Sequence, residues 1–327
     1  MRRLVLWLSV ALFICLGSRA VAEVAEVADR PSTQPAQFIR CIDNGPQGGE
    51  LDTAEVSFVN DSGVQVDLVG AVHIGELGYY QRLQQDFTGY DAVLYELIKP
   101  RDAEPPDGEP SQEKSSNIIT TFQRFLKDSL HLEYQLDVID YRKPNFVHAD
   151  LDKETFERME ADRGESIWTI LIAQMANQWS NPPPDAGKAD GPPETSDQEA
   201  QDMIKFLCRP DGDRRLKMLI ARQMDQVEAM TAGLDGPGGS VILTERDKAA
   251  MQALEQVMED GKKKIAIFYG AAHMPDLAAR LKTKGFHPVA TQWRKAWDMT
   301  YRPDEPSNAE RLLDALLGAA ESQPANQ

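Results

Sequence analysis

The sequence predicts an α/β fold, and three observations support that prediction. Short segments rich in Val, Ile, Leu and Tyr alternate with segments whose apolar residues recur at helical spacing. An octapeptide of the form Gly-Ala-X-His-apolar-X-acid-Leu occurs twice, as GAVHIGEL at 70–77 and GAAHMPDL at 270–277. At 327 residues and 42% hydrophobic content, the chain can bury a substantial core. Strand followed by helix, repeatedly, is typical of a sheet covered by helices.

Each element is predicted from its local pattern. The predicted strands are short, apolar and rich in β-branched residues, at 63–70, 90–98, 144–151 and 263–270. The predicted helices have apolar residues on one face, within 118–130, 216–230 and 251–258. A more apolar helix is expected at 165–180, either buried in the core or forming a lid with Trp168 and Trp179 along a groove.

The first 22 residues, MRRLVLWLSVALFICLGSRAVA, predict an export signal, because a basic start precedes an apolar stretch and an Ala-Val-Ala ending suits a signal peptidase. The apolar stretch runs from Leu4 to Leu16, which is shorter than the ~20 residues that a spanning helix needs. Cleavage after Ala22 would remove three arginines and no acid, taking the formal charge from -17 to -20. We therefore expect an exported protein, periplasmic or extracellular, with no membrane span after processing.

A single domain is predicted over 38–303, after a polar, flexible leader at 23–37. Within it, 101–116 and 181–196 are rich in Pro, Gly and acidic residues and lack apolar periodicity, which predicts surface insertions. Residues 304–327 predict a docked helix followed by a loose tail.

Charge and cysteine content narrow the possible partners. The formal charge is -17 and no run of Lys and Arg forms a phosphate-binding stripe, so nucleic acid is not expected as a partner. Cys41 and Cys208 remain after processing and either pair in an oxidising compartment or stay as buried thiols. Neither has the Cys-X-X-Cys spacing of a structural zinc site. The sequence does not indicate an oligomeric state.

The duplicated octapeptide predicts a functional site. In both copies a predicted strand runs into the glycine, and a helical pattern follows the acid and leucine. Each His thus lies just past the carboxyl end of a strand, where ligands bind in open α/β sheets. One such His alone is more often a structural residue. Two matching copies indicate an internal duplication, in which His73 and His273 would meet in one cleft about a pseudo-twofold axis.

Glu96 ends the next predicted strand, within YDAVLYEL. A carboxylate inside an apolar run is costly unless it is partnered, so Glu96 either forms a buried ion pair or belongs to the cleft. Two imidazoles and one carboxylate are a ligand set for Zn, Mn, Fe or Co. His73, Glu96 and His273 are therefore candidate metal ligands.

GAVHIGEL, YELI, TERDKAAM and YGAAHMPDL followed by LKTKGFHPV resemble the TraB/GumN/TIKI family, whose hallmark is two Gly-X-X-His motifs plus a Glu. The resemblance covers roughly 38–297 and is weakest across the insertions. It implies an α/β fold of two related halves, similar to that of erythromycin esterases and ChaN-like haem-binding lipoproteins. For the TIKI branch it implies a metal-dependent protease that uses His73, Glu96 and His273.

Arg246, in the TERD stretch, resembles a family residue that could stabilise charge, although a helix-start salt bridge with Asp247 or Glu245 is the alternative. Asp150 could reach the cleft, or it could cap the following helix. The other histidines are less informative. They are His131, expected at a helix end, His148, which alternates with Asp150, and His287, near a turn.

Three hypotheses follow. In the leading one, the chain is an exported hydrolase of the protease or esterase type, with a divalent metal (Mn, Co or Zn) that activates water for attack on a peptide or small-molecule substrate. In the second, one His acts without metal as a general base oriented by Glu96. In the third, the chain is not an enzyme and binds a peptide or haem in the same cleft.

Overall fold

The computed structural model describes residues 37–109, 130–163, 211–224 and 240–302. Several predicted segments lie outside these described residues. They are the export signal, nearly all of the leader, residues 110–116 of the first insertion, all of the second, most of the helix predicted at 118–130, the helix predicted at 165–180, and the C-terminal 304–327.

The described residues form nine strands and five α-helices. The strands are β1 (Ile39–Asp43), β2 (Gly49–Val59), β3 (Gln65–Ala71), β4 (Ile74–Gly75), β5 (Ala92–Tyr95), β6 (Glu133–Tyr134), β7 (Phe146–His148), β8 (Lys264–Gly270) and β9 (His287–Asp298). The helices are α1 (Leu77–Phe87), α2 (Lys153–Arg163), α3 (Gly212–Met224), α4 (Arg246–Glu259) and α5 (Met274–Thr283).

Seven of the strands build one mixed sheet, which confirms the predicted α/β class. Strands β3, β8, β5 and β7 are parallel neighbours in that order. Antiparallel β2 pairs with β3 and β1 along one edge and with β9 along the other. The short strands β4 and β6 form a separate pair beside the sheet.

The parallel strands coincide with the four predicted ones, whereas β1, β2 and β9 were not predicted. Strand β2 mixes its apolar residues with several polar and acidic ones. The first half of β9 is exposed on both faces, so it lacks the apolar alternation that would identify it. The predicted strands are the buried central ones, because burial on both faces produces nearly continuous apolar runs.

The core lies on both faces of the parallel strands. Phe87 of α1 packs on Phe268 of β8 with ring centroids 4.8 Å apart. On the other face, a Cβ built on Gly70, which pairs with Tyr269, would lie 3.4 Å from Cγ of Met274 in α5. Because successive strand residues point to opposite faces, α1 and α5 cover opposite faces of the sheet. This arrangement of the two strand-turn-helix units is consistent with a local twofold axis along the strands.

The two copies of the octapeptide differ after their histidines. After His73 the chain continues as β4, and α1 begins only at Leu77. After His273 helix α5 begins at once, at Met274, earlier than the predicted start at the acid and leucine. None of the helices in the described part of the chain combines the length and apolar character that a membrane span requires.

Candidate functional site

Four parallel strands end at one edge of the sheet, and each is followed by a chemically active side chain. His73 follows β3, His273 follows β8, Glu96 follows β5 and Asp150 follows β7. Since β3, β8, β5 and β7 are consecutive neighbours, their carboxyl ends lie side by side. This is the edge at which open α/β sheets bind ligands.

The carboxylate of Glu96 lies at the centre of this edge. Its Oε1 accepts a hydrogen bond from Nη2 of Arg246 at 2.7 Å, and its Oε2 accepts one from the main-chain N–H of Gly270 at 2.6 Å. The side chain is only 9% exposed. Glu96 therefore lies among the strand ends and forms the buried ion pair that was its alternative.

Arg246 is the buried cation that holds two carboxylates together. Its Nε donates to Oδ1 of Asp150 at 2.9 Å, and its Nη2 donates to Oδ2 of Asp150 at 2.6 Å as well as to Glu96. The predicted alternative, a salt bridge with Asp247 or Glu245, is wrong. Bidentate pairing with Asp150 fixes the guanidinium plane, so Arg246 positions Glu96.

Asp150 is not the helix cap that the sequence allowed. The N–H of Thr155, in the first turn of α2, is bound by Asp152 Oδ1 at 2.9 Å. Asp150 is instead buried against Arg246. The capping role passes to Asp152 because Asp150 lies closer to the end of β7, where its side chain reaches the guanidinium.

His273 is held by a residue that was considered only as a salt-bridge partner of Arg246. Its Nδ1 lies 2.7 Å from Oδ1 of Asp247, while its Nε2 lies 3.6 Å from Oε1 of Glu96. The longer distance exceeds a hydrogen bond. With Asp247 ionised, Nδ1 donates its proton to Oδ1, and in the neutral ring the lone pair is therefore on Nε2. The orienting carboxylate is thus Asp247, and not Glu96 as predicted.

A signal for Asp247 was present in the sequence. It lies three, four and seven residues before Ala250, Met251 and Leu254, which form the buried face of α4. A charge placed on the apolar stripe of a helix must be partnered when it is buried. Oδ2 of Asp247 is buried and has no hydrogen-bond partner among the described residues.

His73 and Glu96 both lie beside Gly270. A Cβ built on Gly270 would lie 3.4 Å from Nε2 of His73 and 3.3 Å from Oε2 of Glu96. The His73 turn is anchored by main-chain contacts, since Tyr80 donates its hydroxyl to Val72 O at 2.8 Å and the N–H of Gln135 donates to His73 O at 3.0 Å. The structure therefore brings His73, Glu96 and His273 together around one glycine.

The remaining candidates fall outside this group. His148 contacts Leu97 O through Nε2 at 2.7 Å, so it supports the loop that follows Glu96. His131 lies just past a helix end and has a positive φ of 53°. His287 is exposed and begins β9.

The electrostatics of the cleft favour a charged Glu96. Burial by itself would raise the pKa of Glu96, but the charges of Arg246, His273 and His73 and the Gly270 N–H together lower it far below the usual range. An ionised Glu96 is a poor proton acceptor at neutral pH. It acts instead as a fixed negative charge.

The Asp247 and His273 pair titrates nearer to neutrality. Burial raises the pKa of Asp247 to about 6, although the attraction of His273 opposes this rise. Burial would lower the pKa of His273, but the charges of Asp247 and Glu96 outweigh it and raise that pKa above 6.5. The carboxylates on both sides of His273 therefore favour its protonated form.

The predicted metal ligands do not form a closed ligand set in this arrangement. Within 37–109, 130–163, 211–224 and 240–302, no group of three or more His, Cys, Asp or Glu side chains is arranged to hold a metal ion. Both oxygens of Glu96 already accept hydrogen bonds, one of them from a guanidinium. His273 nevertheless has the carboxylate partner on its second nitrogen that metal-binding histidines commonly have.

Comparison with family models, with curated proteins and with solved structures finds no match to this chain. The chemistry of the site is therefore argued from its residues. An imidazole with an orienting carboxylate, a fixed negative charge and a second imidazole surround one point at the edge of the sheet. Such a set can activate a water molecule and stabilise the charges that develop when the water attacks a carbonyl group.

Proposed function

We propose that the chain is a hydrolase that cleaves an amide or ester bond in a peptide or small-molecule substrate, with His273 as the general base. The observation that carries this proposal is the Asp247 to His273 contact of 2.7 Å, which leaves Nε2 directed toward Glu96. Oriented general bases of this kind contribute roughly 10²- to 10⁴-fold to rate.

In the proposed reaction, Nε2 of His273 takes a proton from water while the water oxygen bonds to the carbonyl carbon. The negative charges of Asp247 and Glu96 stabilise the imidazolium that forms. His73, which also lies beside Gly270, donates to the developing oxyanion. The imidazolium then returns its proton to the leaving nitrogen or oxygen as the carbon to heteroatom bond breaks, giving a carboxylic acid and an amine or alcohol.

The two Gly-X-X-His motifs and the Glu support this proposal through their resemblance to the TraB/GumN/TIKI family. The same resemblance is the basis for proposing that the sheet belongs to the fold shared with erythromycin esterases and ChaN-like lipoproteins. We further propose that the enzyme acts outside the cytoplasm, in the periplasm or extracellular space, because the first 22 residues have the pattern of an export signal.

A metal-dependent form of the same hydrolase is the second candidate. It is favoured by the positions of His73 and Glu96 beside Gly270, by the 3.6 Å between Glu96 Oε1 and His273 Nε2, and by the carboxylate that holds Nδ1 of His273. His73, Glu96 and His273 would then hold a divalent cation such as Mn, Co or Zn. Such an ion would supply Lewis-acid activation of water or of the carbonyl group.

One set of assays separates these candidates. The mature protein is incubated with a library of fluorogenic peptides and nitrophenyl esters, with and without a chelator, and then with added Mn, Co or Zn. The base mechanism predicts turnover that survives chelation and is lost in His273→Ala but not in His287→Ala, a matched change at the exposed start of β9.

The other outcomes contradict the proposal in different ways. The metal-dependent hydrolase is identified if activity disappears on chelation and returns with added metal. In that case Glu96→Gln should lose activity and bound metal together. A binding protein is identified if no metal supports turnover and if added peptide or haem raises the melting temperature of the protein.

A further inference from the structure

Two cations outside the cleft lie on one face of α3. Arg214 and Lys217 are three residues apart, so they are neighbours on the helix surface. Their side chains are only 16% and 10% exposed. Both charges are thus largely withdrawn from water, in a protein whose formal net charge is -17.

The carboxylates that pair with these cations also accept hydrogen bonds from other donors. Nζ of Lys217 lies 3.3 Å from Oε1 of Glu76, an oxygen that also accepts the main-chain N–H of Asp298 at 2.7 Å. Nη2 of Arg214 lies 3.5 Å from Oδ2 of Asp211, whereas Nε of Arg215 is 2.5 Å from the same oxygen. Each cation therefore shares its carboxylate with a second donor that lies closer to the same oxygen.

Arg214 also has an unsatisfied donor. Its Nε is buried and has no hydrogen-bond partner in the described part of the chain. Buried donors in proteins are almost always paired, so an orphan beside a second cation indicates a position where an anion completes the hydrogen bonding. The Arg214 guanidinium lies over the Tyr301 ring, 5.1 Å from its centroid.

This cationic pair lies at the same edge of the sheet as the cleft. Glu76 follows His73 by three residues, and its N–H donates to Ala296 O near the end of β9. Because β9 and β3 are both antiparallel to β2, their carboxyl ends share that edge. In the sheet, β9 is two strand spacings from β3 and three from β8. The distance from β9 to these two strands is therefore about 10–15 Å.

We propose that Arg214 and Lys217 form an anion subsite for the carboxylate of an extended substrate whose scissile bond lies at His273. The span of about 10–15 Å corresponds to three or four extended peptide residues. A single carboxylate fits better than a phosphate group, because Glu76 and Asp211 remain beside the cations. The inference rests on the proposed hydrolase and names its substrate class, a short acyl peptide with a free carboxyl end.

Binding is measured in the His273→Ala protein, so that the test does not depend on turnover. The probes are acetyl-trialanine with a free carboxylate and the same peptide as its amide, titrated by calorimetry. We expect the carboxylate to bind at least about tenfold tighter, as one charge-assisted contact allows. Adding Arg214→Gln and Lys217→Met should remove the preference, whereas Lys217→Arg should retain it.

Arg222→Gln is the matched control, because it removes one positive charge from an exposed position of the same helix, where Arg222 pairs with Asp43. It should leave the preference unchanged. Equal binding of the two probes by the His273→Ala protein overturns the anion subsite, whether or not the other variants fold. A retained preference without any hydrolysis by the wild type contradicts only the proposed reaction.

Discussion

The main-chain nitrogen of Gly270 lies 2.6 Å from Oε2 of Glu96, so the glycine of the second octapeptide holds the carboxylate that follows a different strand. An added Cβ would be tight against Glu96, whose carboxylate would have to move by a few tenths of an ångström. A Cβ would approach Glu96 Oε2 to 3.3 Å and His73 Nε2 to 3.4 Å. Glycine at this position permits the approach of His73 and Glu96 to the same backbone.

The variant Gly270→Ala should lose at least about tenfold in kcat/KM, because small displacements of positioned groups are costly in catalysis. The unfolding free energy should fall by only about 1–3 kcal/mol, as for other small overpacking changes. Gly89→Ala is the control, since its Cβ would meet ordinary contacts of 3.4 Å and beyond. Unchanged kcat/KM in Gly270→Ala, measured alongside urea unfolding, would contradict this role.

The activity should rise with pH through the titration of the Asp247 and His273 pair. A general base works when deprotonated, and the pKa of His273 is raised above 6.5 by Asp247 and Glu96 against the effect of burial. The acidic limb of kcat/KM should therefore have its midpoint above pH 6.5. Asp247→Asn removes a negative charge, so it should move the midpoint to lower pH.

The same Asp247→Asn change should lower the plateau rate by about 100-fold or more, because the imidazole loses the partner that fixes its tautomer. Asp260→Asn makes the same change at the exposed end of α4 and should alter neither midpoint nor plateau. A pH profile that is identical in wild type and Asp247→Asn would exclude His273 as the titrating base.

Removal of Arg246 should destabilise the protein strongly. Arg246→Gln leaves Glu96 and Asp150 buried without their cation, and breaking a buried pair in this way costs about 3–5 kcal/mol. Adding Asp150→Asn should recover part of the loss, because one buried charge is removed. The control is Arg101→Gln, in the exposed pair with Asp152, which should change the urea midpoint little. If both arginine changes had the same effect, the role of Arg246 in holding Glu96 and Asp150 would be contradicted.

If the first 22 residues are an export signal, the mature protein should begin at one defined residue. Mass spectrometry of protein from its native compartment should show a chain that starts at Glu23, and an intact Met1 would contradict the prediction. Non-reducing peptide mapping would show in the same sample whether Cys41 and Cys208 are joined. In the structure Cys41 Sγ lies 3.7 Å from Met218 Sδ, and Cys208 lies outside the described residues.

The central part of the sheet could be predicted from the local pattern of apolar residues. The four parallel strands were predicted because burial on both faces demands continuous apolar runs, and the positions of His73 and His273 past strand ends followed from where those runs stop. Glu96 was predicted within the strand at 90–98, whereas β5 ends one residue before it, at Tyr95. Strand β9 could not be identified in the same way, because it is held by backbone pairing with β2 while its first half stays exposed.

The partners of each charged group were decided only by the tertiary structure. Glu96 and Gly270 are 174 residues apart, and Arg246 and Asp150 are 96 apart, so no local spacing relates them. The sequence by itself determined which residues stand at strand ends and which helix faces are apolar, since both depend on near neighbours. Which carboxylate orients His273, and which cation neutralises Glu96, depended on strand order in the sheet, because hydrogen bonds and ion pairs act over a few ångströms in space and not along the chain.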